Sequence, residues 1–219
     1  MANCEENQFQ PKLLCNKGNI ILNEIKIPLT NASIYNLQFE LNNLDTSKVN
    51  LDLLLTTQLY NLLEKVNADL IEKIYIVNTS TTLNNQETDI CILLKQIAKE
   101  LGVKQKFILF RSTKYLNNLN NSITYYNKDL IYEHKELIPD YLKLFKLDSN
   151  NYESLTFNCG KTIITVTSNT DEQFINVKFS IDFQITITDD IPKYMSNFIG
   201  LMFKKMFYNV KLFIDNLNS

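Results

Sequence analysis

The chain has 219 residues, 45% hydrophobic and 21% charged, enough to bury a core in one large domain or two small ones. These values exclude a disordered segment, a collagen and a disulfide miniprotein. A net charge of −2 with a single arginine, Arg111, among 22 basic residues argues against sequence-specific nucleic-acid binding, which needs a basic footprint and bidentate donors.

Residues 1–18 read as a flexible N-terminal arm, and 19–219 as one domain with a weak sub-boundary near 148–151. Strands are predicted at Asn19–Leu29 and Ile34–Leu41. Leu51, Leu54, Leu55, Leu59, Leu62, Leu63, Val66 and Leu70 then recur at 3- and 4-residue spacing, which predicts an amphipathic helix. Lys73–Asn78 is a short apolar strand. Ile90, Leu93, Leu94, Ile97, Ala98 and Leu101 mark a second helix, with Gly102 at its C-terminal cap. Phe107–Phe110 is again a strand. Ile123–Tyr126 and Asp129–Tyr132 are short strand candidates, and Glu136–Lys146 a short helix with Pro139 in its first turn.

The C-terminal third is more regular. Tyr152–Phe157 and Thr162–Thr167 read as strands joined by a turn at Asn158-Cys159-Gly160-Lys161. Residues 175–187 alternate throughout, with Ile175, Val177, Phe179, Ile181, Phe183, Ile185 and Ile187 on one face, as a half-buried antiparallel strand requires. Thirteen residues span about 43 Å, so a bend or an overhang is expected. Asp189 and Asp190 supply cap chemistry for a final helix running to about Leu217. Its apolar face includes Met195, Phe198, Met202, Phe203, Met206, Phe207 and Val210. Lys193, Asn197, Lys204, Lys211 and Asp215 form a narrow polar face. The fold class is α+β: a mixed α/β N-terminal layer, then an antiparallel β-meander closed by a long C-terminal amphipathic helix.

Chemistry-bearing residues are sparse. His134 is the sole histidine, set among charged residues, and Cys159 stands beside a glycine turn. No phosphate-cradling loop can be written around four isolated glycines. No CxxC pair exists, so neither a zinc site nor any other cofactor is expected. Cys91 reads as a buried thiol on an apolar helical face, and Cys4–Cys15 as an alternative disulfide to free thiols in a reducing compartment. Asp69 with Glu72 is a candidate for a hard cation, and Asp189-Asp190 is better explained as a helix cap. No catalytic residue is assigned. No secretory leader or membrane-spanning run is visible, so the protein is read as cytoplasmic or as a virion component, with membrane-surface contact not expected.

The Met- and Phe-rich face of the last helix looks wider than one half-buried sheet needs. The first reading is a non-enzymatic assembly or interaction protein, self-associating or docking on a protein partner through Met195, Met202, Phe203, Met206 and Phe207. The 29 asparagines and absent tryptophan reflect AT-rich coding, as in a virus or an AT-rich microbe. The alternative is a carrier of a hydrophobic small molecule or lipid, held between the 175–187 strand and that helix beside Phe179, Phe183 and Phe198. A sheet closed by a long C-terminal helix resembles the architecture of helix-grip lipid carriers. The α/β-like first half departs from that architecture, and no residue motif carries the likeness.

Overall fold

The computed structural model describes residues 11–27, 33–81, 85–96, 104–133, 136, 138–148, 150–168, 173–186 and 193–219. Gly18 and Asn19 both have positive φ, 65° and 58°, as a tight two-residue hairpin turn demands. They fold β1 (Lys12–Lys17) onto β2 (Ile20–Lys26). Part of the expected arm is therefore an edge strand. After β2 come β3 (Ser33–Asp45), α1 (Asp52–Leu55), α2 (Gln58–Val66), β4 (Ile71–Thr81), β5 (Asn85–Leu94), β6 (Gln105–Asn117) and β7 (Ser122–Asp129). Then follow α3 (Leu130–Glu133), α4 (Ile138–Leu144), β8 (Tyr152–Ser154), β9 (Thr156–Ser168), β10 (Phe174–Thr186) and α5 (Lys193–Asn218).

The strands form one sheet in the order β1-β2-β3-β10-β9-β7-β6-β5-β4. Neighbours along this path are antiparallel, and β8 adds a short parallel pairing to β6. Strands from both sides of the 148–151 region belong to this one sheet, and the strands of the first half pair antiparallel rather than as an α/β layer.

The largest departure from the sequence reading is β5, expected as a helix. Its run Ile90-Cys91-Ile92-Leu93-Leu94 is buried throughout, because this part of the sheet is covered on both faces. Ile90, Ile92 and Leu94 join the main core, whereas Cys91 and Leu93 pack with Phe107, Leu109, Leu130, Phe145 and Leu147 on the opposite face. A strand buried on both faces loses its period-2 signature. Three further expectations change. The 51–70 helix is interrupted, with Thr56 and Thr57 between α1 and α2. Asn158 to Lys161 lie within β9 rather than in a turn, with Cys159 paired to Gln184 of β10 and Lys128 of β7. The 129–132 segment closes β7 and starts α3.

The alternation of 175–187 appears as β10. Its pairing shifts register near both ends, between Ile175 and Val177 against β3 and between Gln184 and Ile185 against β9. On the inner face Phe179 stacks on Phe39 of β3 at 4.5 Å, and Phe183 on Tyr35 at 5.3 Å. Helix α5 packs on this face, with Met202, Met206, Phe207, Val210 and Ile214 buried. Each such fully buried side chain contributes about 1.5–3 kcal/mol. Its outward face differs from the expected polar stripe: Leu201 and Leu212 are exposed, and Lys204 is buried with its ammonium over the Tyr208 ring.

Candidate ligand cavity

Where α5 and α2 cross the inner face of the sheet they enclose a cavity of about 60 Å³. Its wall is built from alternate residues of the strands: Ile181 and Phe183 of β10, Thr162 of β9, Asn127 of β7, Ile92 of β5 and Ile71 of β4. Phe203, Met206 and Phe207 of α5 close it from above, with Tyr60 and Leu63 of α2 at the side. Phe183 and Phe203, both in its lining, stack on each other at 4.6 Å. Asp182 borders the cavity, and its carboxylate accepts the Asn36 amide at 2.5 Å.

Of the residues singled out from the sequence, Phe183, Phe203, Met206 and Phe207 meet at this cavity. Phe179 is buried one step along β10 against Phe39. Met202 is buried and borders a second hollow of about 80 Å³ with Leu70, Leu94 and three lysines. The side chains of Met195, Phe198 and Cys159 lie outside those described, as do residues Cys4, His134, Asp189 and Asp190. Cys91 is a free thiol whose pKa burial pushes up to about 12. The candidate cation pair is otherwise engaged: Asp69 binds Lys205 and Glu72 binds Lys95. Among the described residues no cluster of metal-ligating side chains occurs, and no helix is long and apolar enough to cross a membrane.

Three polar contacts tie the helices in place. Asn67, 0% exposed, donates to the carbonyls of Leu63 at 2.9 Å and Met206 at 3.2 Å, and accepts from Asn209 at 2.9 Å. The hydrogen bond from Lys205 holds the Asp69 carboxyl below its ordinary pKa. At the C-terminal end of α5, Asn218 accepts the Asp45 amide at 2.7 Å.

The sequence reading missed a polar row on the apolar inner face. Cross-strand neighbours run from Phe183 through Gly160, Asn127 and Ser112 to Thr88. Asn127, Ser112 and Thr88 are all buried. The Tyr60 phenol beside Ser112 is pushed up to about 12 by burial, a shift that Ser112 partly offsets. The signal was the alternation Ile123, Tyr125, Asn127, Asp129, which places Asn127 on the face of two buried residues.

No family model and no curated protein sequence matches this chain. Solved structures do. The lipid transfer and protein localization domain of human StarD13 aligns with a TM-score of 0.63 at 11% identity, over 98% of this chain and 91% of that one. Human StAR-related lipid transfer protein 5 aligns at 0.60 and 7% identity, over 95% and 88%. Human STARD10 aligns at 0.56 and 11% identity, over 94% and 75%. The fold resembles that of StAR-related lipid-transfer domains. This likeness overturns the assembly reading and its viral structural setting: the neighbours are lipid-transfer proteins, not structural or viral oligomers. The wide apolar face of α5 is directed into its own chain, where Met202, Met206 and Phe207 are buried.

Proposed function

We propose that this protein is a non-enzymatic carrier of a lipid or another hydrophobic small molecule, held between α5 and the inner face of the sheet. The observation that carries the reading is the cavity closed by Phe203, Met206 and Phe207 over Phe183, in a fold that resembles lipid-transfer domains along nearly its whole length. The lining is mostly apolar with a few polar groups, which is the usual make-up of a small-molecule site. A free Cys91 thiol suits a reducing, cytoplasmic setting. A volume of about 60 Å³ is far below the roughly 300 Å³ or more of a ligand pocket, so loading requires α5 to lift. Its C-terminal end is tied to β3 through Asn218.

Native mass spectrometry of the purified protein, repeated under denaturing conditions, tests this. The expected result is a 25.5 kDa chain carrying a few hundred daltons that vanish on denaturation, and that reappear when stripped protein meets phosphatidylcholine or sterol vesicles. A chain that stays bare before and after vesicle exposure overturns the reading.

A further inference from the structure

The end of the β6–β7 hairpin carries four of the ten large hydrophobic side chains that are exposed among the described residues. Leu119, at the apex, is 100% exposed and Leu116 is 64% exposed. A strand pair that buries one face ordinarily turns a polar face to water. Here both faces end in apolar groups. Leu116 continues the inner face, in line with Ile123 and the core residue Ile164. Tyr115 and Tyr126 stand on the outer face, edge to face at 5.5 Å. The turn itself is fixed: Asn117 Oδ1 accepts the Leu119 amide at 3.1 Å, and Asn120 Oδ1 accepts the Ser122 hydroxyl at 2.6 Å. The Asn121 carbonyl accepts the Val166 amide at 3.0 Å. Two of the four asparagines thus spend their acceptors within the turn, and Leu119 is held bare.

We propose that this hairpin end inserts shallowly into the interface of a zwitterionic lipid bilayer, a contact not expected from the sequence. None of its four exposed side chains lines the α5 cavity, so the site is separate from the carrier reading. A protein groove covers one face of a strand pair. These side chains leave the hairpin on both faces and at its apex, which suits a surrounding medium. The chemistry is also graded in the order that a bilayer presents. Leucines occupy the apex, and tyrosines stand behind them, where amphipathic rings suit the headgroup level. Lys114 and Lys161 follow, with their ammonium groups over the Tyr125 and Tyr126 rings. No acidic residue occurs between Ser112 and Lys128. The 169–172 connection after β9 does carry Asp171 and Glu172, so a zwitterionic surface fits better than a strongly anionic one.

Flotation with phosphatidylcholine vesicles tests this on the full chain. The unaltered protein should float with the vesicles. Leu116→Asn and Leu119→Asn together should weaken that binding about tenfold or more, because the inserted apolar area is lost, while the melting temperature stays unchanged. The chain has no tryptophan, so Leu119→Trp supplies a single reporter. Its emission should move to the blue on adding vesicles and be quenched by brominated phosphatidylcholine. Leu144→Trp, at a position 59% exposed on α4, should show neither change. An unaltered chain that stays in the aqueous fraction overturns the proposal, as does a double variant that floats equally well. Leu119→Trp emission that moves to the blue with rising protein concentration and no vesicles also overturns it, because a second copy then covers the apex. Each of these results leaves the carrier reading intact, since bound lipid is read separately by mass. A chain that floats yet never carries lipid would remove the carrier reading and keep this one.

Discussion

Arg111 on β6 grips Asp89 on β5 through two hydrogen bonds, Nε to Oδ1 at 2.7 Å and a terminal nitrogen to Oδ2 at 2.9 Å. Asp89 is 0% exposed, and the Tyr141 hydroxyl of α4 donates to the same carboxylate. The chain's single arginine thus ties α4 to the outer face of the sheet and is not available to a ligand. Breaking a buried pair from one side strands a charge and costs about 3–5 kcal/mol. Arg111→Met should therefore lower the urea midpoint sharply. Adding Asp89→Leu should recover most of the loss, since no buried charge then remains. A single variant as stable as the parent would show that the pair does not hold the layer.

The parts legible in the sequence are those with one buried face. Strand β10 alternated cleanly because its outward residues meet water, and α5 kept its 3- and 4-residue steps over 26 residues. Strand β5 was illegible because Cys91 and Leu93 face a second apolar cluster, which turned an alternating strand into a solid run. Asparagine was the other obstacle. In a chain with 29 of them, a single asparagine such as Asn127 carries little signal of its own. Yet Asn19, Asn43 and Asn121 all take positive φ, filling left-handed positions that glycine usually holds. The cavity half-emerged: Phe183 and the α5 face were visible as apolar stripes, but the Asn127–Ser112 pairing depends on register between β7 and β6, which composition does not encode.

Asn67 ends α2 and reaches into α5, where its amide bonds the Met206 carbonyl and the Asn209 side chain. Replacing it with leucine removes these bonds and leaves the Asn209 amide without its Oδ1 acceptor. The expected cost is about 2–3 kcal/mol, the sum of lost bonds and a poorly fitted buried site. Hydrogen exchange should localise the loosening to α2 and the middle of α5. Uniform destabilisation with no local increase there would argue that Asn67 does not clamp the two helices.

Gly200 lies inside α5, where alanine would ordinarily gain about 1 kcal/mol of helix propensity. Here a Cβ would stand 2.9 Å from Cε1 and 3.0 Å from Cδ1 of Tyr35. That ring is buried and stacked on Phe183, so it has no free direction in which to swing. Overpacking of this kind costs about 1–3 kcal/mol, which outweighs the propensity gain. Gly200→Ala should lower the melting temperature, and in a Tyr35→Leu background the same substitution should cost little or nothing. A stabilised Gly200→Ala protein would mean that α5 sits further from β3.

Tyr60 and Tyr125 make alkaline stability a probe of the same interior. Burial raises both phenols; Tyr60 is pushed up to about 12, with Ser112 partly opposing the shift, and Tyr125 rises further while donating to the Leu55 carbonyl at 2.7 Å. In the unfolded chain both ionise near their ordinary value of 10. Between about pH 10 and 12 the unfolded state releases protons that the folded state keeps. The stabilisation is therefore complete below pH 10 and is lost as pH climbs through 12. Absorbance at 295 nm should show exposed tyrosines titrating first and a late step that coincides with loss of the near-ultraviolet dichroism. Replacing Tyr60 with phenylalanine should reduce the late step and flatten the fall in stability. If all 11 tyrosines ionised together near pH 10 with the fold intact, α2 would not be sealing Tyr60 against the sheet.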